Sequence, residues 1–380
     1  MVIFANMKIS AVVRKGVFLL CLVPCQVFGQ STVSGIVRDS RNGEPMPYAT
    51  VYVNGTTKGT ITDSDGHFQL NNVQFPSTLV FSFVGYKARV LELESDPGSL
   101  QIRLQTNDNL PEVVITDYSE REKYLEYFKS MFLGNDRWGQ SATILNEDAI
   151  MFESSGTDEN GSLFKAWAGE PIIIDQPILG YELYVDLANF SVQRIGGNAI
   201  CDILGYFFYK PYSTDKVRKN AKYERNRASA FYNSNMHFLR SFYQNRLAEN
   251  GYILSMTDTA EVVIDDVTKL PIGIGLYHGK TADGQMQIYG LSDKRLKIRY
   301  YYKWDGSPLD LTKHKPGLHL FSESGIHLLK DTCTIFPGGT VPDNSIRFTG
   351  DISEKRIGAS LPEDYQKFVT SRSETEYPPK

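Results

Sequence analysis

The sequence predicts a mainly β protein with some α: an N-terminal β-sandwich, then a larger β-rich α+β domain bearing a helical pair. Three observations predict it. From Val33 to Leu104, short alternating runs are punctuated by Gly, Pro, Asn and Asp at the spacing of a sandwich. Tyr (22) and Phe (21) are abundant, and aromatic rings pack well on pleated surfaces. Segments 119–133 and 215–250 interrupt the β pattern with helical periodicity. The 380 residues suffice for two domains, and 41% hydrophobic with 22% charged residues is ordinary for a folded soluble chain. A net charge of −4 lacks the basic footprint of general nucleic-acid binding, so no nucleic-acid partner is expected.

Residues 1–29 read as a signal peptide. Lys8, Arg14 and Lys15 precede the apolar run "GVFLLCLVP", and Val27 and Gly29 supply the compact residues of a cleavage site after Gly29. Met7 is an alternative start. The run is too short to span a bilayer, and no later stretch reaches the roughly 18–20 apolar residues of a membrane helix, so no transmembrane helix is expected. Cys25 stands where a lipidated cysteine would, but Pro24 replaces the small residue such sites carry. Cleavage leaves Cys201 and Cys333. Each lies in an apolar strand-like run that suits a separate buried thiol, and an oxidising compartment also permits their pairing.

Residues 30–105 form the expected sandwich. "VSGIVRD" and "YATVYVNG" alternate on either side of the break "RNGEPMP", and "GTITD", "HFQL", "TLVFSFVGY" and "ARVLELE" follow. Between two of these strands, "TDSDGHFQL" crowds acids, a glycine and a histidine. As a calcium loop starting at Asp63 it would place Asp65 third, His67 fifth, Gln69 seventh and Gln74 twelfth, without the later carboxylates such a loop needs. As a turn it needs only Asp and Ser bonding backbone amides and Gly66 at positive φ, so the turn is the expectation.

Gly35, Asp39, "GEPMPYATV", Gly59, "TDSDGHF" and "VGY", in that order, resemble the carboxypeptidase regulatory-like domain, a transthyretin-like (Ig-like) sandwich. The resemblance covers about 70 residues and implies an accessory module without catalytic residues, found beside certain metallocarboxypeptidases and at the N-terminus of many TonB-dependent outer-membrane receptors. Zinc carboxypeptidase chemistry needs a His and a Glu three apart plus a distant His. None of His67, His237, His278, His314, His319 and His327 is followed by Glu at that spacing. No cofactor is expected.

Polar "TNDN" and Pro111 mark a linker over 106–118. Its "PEVVIT", residues 111–116, resembles the segment that follows this module in TonB-dependent receptors, where it pairs as an added strand with a TonB-type partner. The bland alternative is an edge strand or a domain-joining segment. The roughly 260 residues beyond are too few for twenty-odd membrane strands at about ten residues each.

Residues 119–380 make the second expected domain. "SEREKYLEYFKSMFL" opens with a Ser119–Glu122 capping box, aligns Tyr124, Phe128, Met131 and Phe132 on one face, and stops at Gly134. Strand patterns return in "SLFKAWAG", "PIIID", "LGYELYVDLANFSV" and "NAICDILGYFFY". Segment 215–250 reads as two helices broken near "YNSN", the second ended by Gly251. It carries eight Lys/Arg against three acids. Arg225, Arg227, Arg240 and Arg246 are therefore candidate binding residues for an anionic glycan, a lipid head group or an acidic envelope protein. The alternative is a solvated face whose Arg stems pack over a sheet. Beyond Gly251 the chain reads as antiparallel β, including "AEVVIDD" and "LPIGIGLYHG". Leu296, Ile298, Tyr300, Tyr302 and Trp304 share a face by alternation, and "LHLFSESGIHLL" reads as a hairpin around Gly325 that aligns His319 with His327. Two histidines lack the further ligands of a zinc site.

"ILNEDAI", "LGYELYVDLANFSV", "RASAFYNSNMHFLRSFYQNRL" and "GDISEKRIGASLPEDY" resemble segments that follow the regulatory-like module in a group of exported bacterial proteins. The resemblance implies architecture and brings no catalytic residues. Neither a Gly-x-Ser-x-Gly elbow nor a phosphate-binding glycine loop is present. The expected function is a non-catalytic, exported protein of the periplasm or outer membrane of a Gram-negative bacterium. Its sandwich would support a ligand- or partner-binding C-terminal domain. An envelope hydrolase acting on peptide or glycan and a TonB-linked outer-membrane accessory are the alternatives.

Overall fold

The computed structural model describes residues 31–107, 118–157, 161–195, 198–213, 215–256, 277–281, 285–289, 295–317, 319–341 and 345–366. The leader 1–29, segment 111–116, "AEVVIDD" and most of "LPIGIGLYHG" lie outside these residues. The described residues are 46% strand and 17% helix, the mainly β composition that the aromatic content and alternation predict.

Seven strands build the N-terminal unit: β1 (Ser31–Asp39), β2 (Thr50–Val53), β3 (Gly59–Ile61), β4 (His67–Val73), β5 (Ser77–Ser82), β6 (Arg89–Leu93) and β7 (Ser99–Leu104). They form two sheets, β4-β1-β7 and β3-β2-β5-β6. Alternation sends Val33, Val37, Val51, Leu70, Leu79, Phe81 and Leu104 into the shared core. The "DSDG" stretch is a turn, held by Asp63 Oδ1 accepting from the backbone N–H of Asp65 (2.9 Å) and His67 (2.8 Å), with Gly66 at φ +76°. It is no hairpin, since β3 and β4 belong to different sheets and the turn carries the chain from one to the other.

Helix α1 (Tyr118–Phe132) follows, ended by Gly134 at φ +99°. Next come β8 (Thr143–Ile144), β9 (Ile150–Thr157), β10 (Gly161–Ala168), β11 (Ile172–Gln176), β12 (Tyr181–Ile195) and β13 (Asn198–Pro211). These six strands form one sheet. The long β12 pairs along its whole length with β13, and on its other side with β11 near one end and β10 near the other. Phe128 and Phe132 of α1 pack on this sheet against Phe190, stacking with each other at a centroid distance of 4.7 Å.

The basic segment is two helices, α2 (Val217–Phe231) and α3 (Asn235–Tyr243). Asn233 breaks them at φ +52°, and the Ser234 hydroxyl caps α3 by accepting from the His237 N–H. Helix α3 stops at Tyr243, earlier than the pattern predicts, because Asn245 turns left-handed at φ +55°. Gly251 ends the turns that follow.

The remaining strands are β14 (Tyr252–Met256), β15 (Tyr277–Lys280), β16 (Met286–Tyr289), β17 (Arg295–Tyr302), β18 (Leu320–Leu328), β19 (Thr332–Ile335) and β20 (Ile346–Gly350). They form sheets β14-β17-β18-β20 and β15-β16-β19 around a second core, into which α3 lays Phe238, Leu239 and Phe242. Two sequence expectations fail here. "SESG" is no hairpin tip: β18 runs straight through it, paired on both sides, and Gly325 leaves room for Thr349 Oγ1, which an added Cβ would meet at 2.6 Å. Strand β17 ends at Tyr302, so Trp304 leaves the buried face of Leu296, Ile298 and Tyr300 and stands 93% exposed in a turn. Cys201 and Cys333 are not disulfide-bonded. Among the described residues, no helix is long and apolar enough to cross a membrane.

Candidate functional site

The residues that unite the chain lie where the sandwich meets β12 and β13. On β2 and β5, Val51, Val53, Leu79 and Phe81 face the sandwich core, so alternation turns Tyr52, Val80 and Ser82 outward. These outward residues are nevertheless buried, because the six-stranded sheet covers them. Asp186 of β12 receives the Tyr52 hydroxyl on Oδ2 (2.6 Å) and the Ser82 hydroxyl on Oδ1 (2.7 Å). Burial pushes the Asp186 carboxyl up from its ordinary range, and the two hydroxyl donors oppose that rise. Burial, with Asp186 adding to it, pushes the Tyr52 phenol well above its usual value. The Tyr52 ring stacks on Phe208 at 5.4 Å, and Gly59 makes the close approach possible, since a Cβ there would meet the Phe208 ring at 2.5 Å.

Beside this contact, the loop after β2 extends the edge of β13. Gly55 N–H donates to the Phe207 carbonyl (2.7 Å), Tyr209 N–H donates to the Thr56 carbonyl (3.0 Å), and Phe207 N–H donates to Asn54 Oδ1 (2.9 Å). An otherwise open sheet edge is thereby capped by a short parallel bridge.

A C-terminal strap over 360–366 locks the arrangement. Glu363 N–H donates to the Gly55 carbonyl (2.6 Å), and Asp364 accepts from the Thr57 hydroxyl (2.6 Å) and N–H (3.1 Å). Arg240 of α3 holds the strap from the other side, donating to the carbonyls of Gly338 (2.7 Å), Tyr365 (2.7 Å) and Glu363 (2.8 Å). Burial raises the Glu363 carboxyl to about 7 despite the Arg240 charge. Gly55, at φ +74°, leaves no room for a side chain, because a Cβ would stand 2.7 Å from Glu363 Oε1.

The four candidate arginines, Arg225, Arg227, Arg240 and Arg246, separate into two kinds. Arg227 donates to the carbonyls of Leu179 (2.8 Å) and Gly180 (3.2 Å), pairs with Glu224 and stacks over Tyr181 at 4.0 Å. Arg240 is the strap clamp. Arg225 is exposed, and the equally exposed Arg246 reaches, among the described residues, only Glu249 at 3.5 Å. Sequence reading did not single out Tyr52, Ser82, Asp186, Thr57 or Asp364. Only Asp186 carries a local signal, as an acid inside the otherwise apolar alternation of "YELYVDLANF". Among the described residues, no three His, Cys, Asp or Glu side chains stand close enough to share a metal ion.

Substituting Tyr52 by phenylalanine is expected to cost about 1–2 kcal/mol, because it removes one of two donors from a half-buried carboxylate while keeping the ring on Phe208. Urea unfolding of the Tyr52→Phe protein measures this. A loss within about 0.5 kcal/mol, as at a neutral surface position, would show that Asp186 is solvated and the contact loose.

Residues 33–115 match the family described as the CarboxypepD_reg-like domain. The TonB-dependent receptor SusC of Bacteroides thetaiotaomicron is 40% identical over 152 residues, covering 39% of this chain and 14% of that one. The TonB-dependent receptor P26 of Formosa agariphila is 35% identical over 180 residues, covering 45% of this chain and 18% of that one. The chain thus spans less than a fifth of the length of these curated relatives. Among solved structures, a cohesin–X-dockerin complex from Acetivibrio cellulolyticus is 22% identical at a TM-score of 0.19, covering 28% of this chain and 78% of that one. That likeness is too slight to assign a fold.

Proposed function

We propose that this is an exported, non-catalytic protein of the outer-membrane envelope. Its regulatory-like sandwich is a rigid support that holds the C-terminal region for binding a partner or ligand. The observation that carries the reading is the use of one sandwich face as a dry docking surface, with Tyr52, Val80 and Ser82 buried against β12 and β13. An outward sheet face buried in this way fixes orientation, which is what a support requires and what a tethered, freely moving module lacks. The envelope setting is supported by the domain match at residues 33–115 and by the TonB-dependent receptors among the relatives.

The same relatives favour a second element of the proposal, in which 111–116 ("PEVVIT") serves as the contact for a TonB-type partner. Such a segment would add as a strand to the partner's sheet, main-chain bonds giving affinity and alternate side chains giving selectivity. Arg225 and Arg246, exposed on the basic segment, are the proposed residues for an acidic envelope partner or an anionic glycan or lipid head group; Arg227 and Arg240 already serve the fold.

Fractionation of cells expressing the full chain should place it with the outer membrane or in the periplasm, and removal of residues 1–29 should retain it inside the cell. Deleting 111–116 should abolish co-purification with TonB while leaving the fractionation unchanged. Co-purification that is absent in both forms, or equal in both, removes the TonB contact. Cytoplasmic retention of the full chain removes the envelope reading.

A further inference from the structure

The two outer faces of the sandwich differ. That of β3-β2-β5-β6 is docked, whereas that of β4-β1-β7 carries a depression of ≈ 370 Å³. Its lining follows from the strand register. His67, Ile36 and Gln101 stand in one row across β4, β1 and β7, and Gln69, Ser34 and Ser99 stand in the next. Alternation sends the intervening Phe68 and Leu100 to the opposite face, against the core. Ile36 is the floor, only 5% exposed, and Asp63 closes one end from its turn.

The side chains around that floor are uncommitted. Those of Ser34, His67, Ser99 and Gln101 make no hydrogen bond to another described residue, and the Gln69 amide reaches only Asn71 Oδ1 at 3.2 Å. Together their hydroxyls, amides and imidazole nitrogens offer both donors and acceptors. What they line excludes several ligand classes. No Lys or Arg lines the depression, which leaves a phosphate or carboxylate without a counter-charge; Arg38 and Arg103 occupy the row beyond, Arg38 turned to the Gly43 carbonyl. One apolar floor residue is too little for an acyl chain. The β1 backbone is paired on both sides, so an incoming peptide strand finds no ladder there. The polar groups repeat at about 4.8 Å across strands and about 6.8 Å along them, a grid that hydroxyls on adjacent sugar rings can meet together.

The geometry points to a binding site for a neutral oligosaccharide on the outer face of β4-β1-β7, lined by Ser34, His67, Gln69, Ser99 and Gln101 over Ile36. The site stands independently of the TonB contact and goes beyond the support role of the sandwich. Its test is calorimetric titration of the leaderless full chain with maltohexaose, cellohexaose, mannohexaose and chitohexaose, each at low and high salt. Saturable binding to at least one, insensitive to salt, is expected. The Gln69→Ala/Gln101→Ala protein should bind about tenfold more weakly or worse while melting at the unchanged temperature, since both side chains are exposed. Ser99→Arg, at another exposed position, should block the depression and abolish binding with the fold intact. Absence of saturable binding to all four sugars would overturn the proposal. So would binding unaffected by Ser99→Arg.

Discussion

Replacing Arg240 by alanine is expected to cost about 3–5 kcal/mol and to loosen the sandwich from the rest of the chain. The guanidinium spans three backbone carbonyls, of Gly338, Tyr365 and Glu363, in a largely dry setting over the Phe231 ring. Removing it deletes three charge-assisted bonds and leaves carbonyls without donors. The damage then propagates: with 363–365 released, the Gly55 carbonyl loses the Glu363 N–H, and Thr57 loses Asp364. Lysine is not expected to rescue, since a single ammonium cannot reproduce the planar fork. Arg225→Ala, at an exposed position on the same basic segment, should change stability by less than about 0.5 kcal/mol. Urea unfolding of the three proteins measures the contrast. Equal losses for Arg240→Ala and Arg225→Ala would contradict the clamp.

The second large effect is acid lability centred on His237. Its ring is buried among Phe231, Tyr232, Tyr252 and Tyr300, and Nδ1 faces both the Asn233 N–H (3.2 Å) and the Tyr252 hydroxyl (2.9 Å). A backbone N–H can only donate, so Nδ1 is the unprotonated nitrogen and Tyr252 donates to it. Burial, reinforced by the nearby Lys355 and Arg240 charges, lowers the histidine pKa to about 3 from an ordinary 6.5. Between these values the unfolded chain binds the proton that the folded chain refuses. The stabilisation is therefore complete above pH 6.5 and drains away as pH falls toward 3. His237 alone contributes about 1.4 kcal/mol per pH unit, or about 2–3 kcal/mol by pH 4.5, read as the difference in slope between the wild type and His237→Gln. Glu363 acts in the opposite sense over pH 4.5–7: its raised carboxyl holds a proton more tightly in the folded state, so its contribution to stability falls as pH rises through that window. His237→Gln should be less stable at neutral pH, with its Glu363→Gln combination nearly flat between pH 4.5 and 7 apart from the surface acids. Urea midpoints across pH measure this. A His237→Gln protein with the same acid slope as wild type would contradict the assignment.

The sandwich was legible because its determinants are local. Alternation, the Gly66 turn and the Pro and Gly punctuation each act within a few residues. Helix α1 was legible for the same reason, through Phe128, Phe132 and Gly134. The "SESG" segment misled because polar residues with a glycine imitate a turn. In the fold Ser324 is buried with its hydroxyl accepting from the Ile352 N–H, and the glycine serves close strand packing instead. The docking surface was not legible, since it joins Tyr52 to Asp186 and Thr57 to Asp364, pairs far apart in the chain with no periodicity linking them. Charge counting over 215–250 likewise could not separate Arg225, which meets solvent, from Arg227 and Arg240, which meet carbonyls.

The central claim is that the sandwich is fixed to β12 and β13 and does not swing on its linker. Native-state hydrogen exchange at the amides of Gly55 and Tyr209, which bond across the junction, tests it most directly. Fixed docking predicts that both are protected as strongly as the Val51 and Val185 amides inside the flanking sheets. Exchange at the rate of an open loop, with the strands on either side still protected, would contradict it.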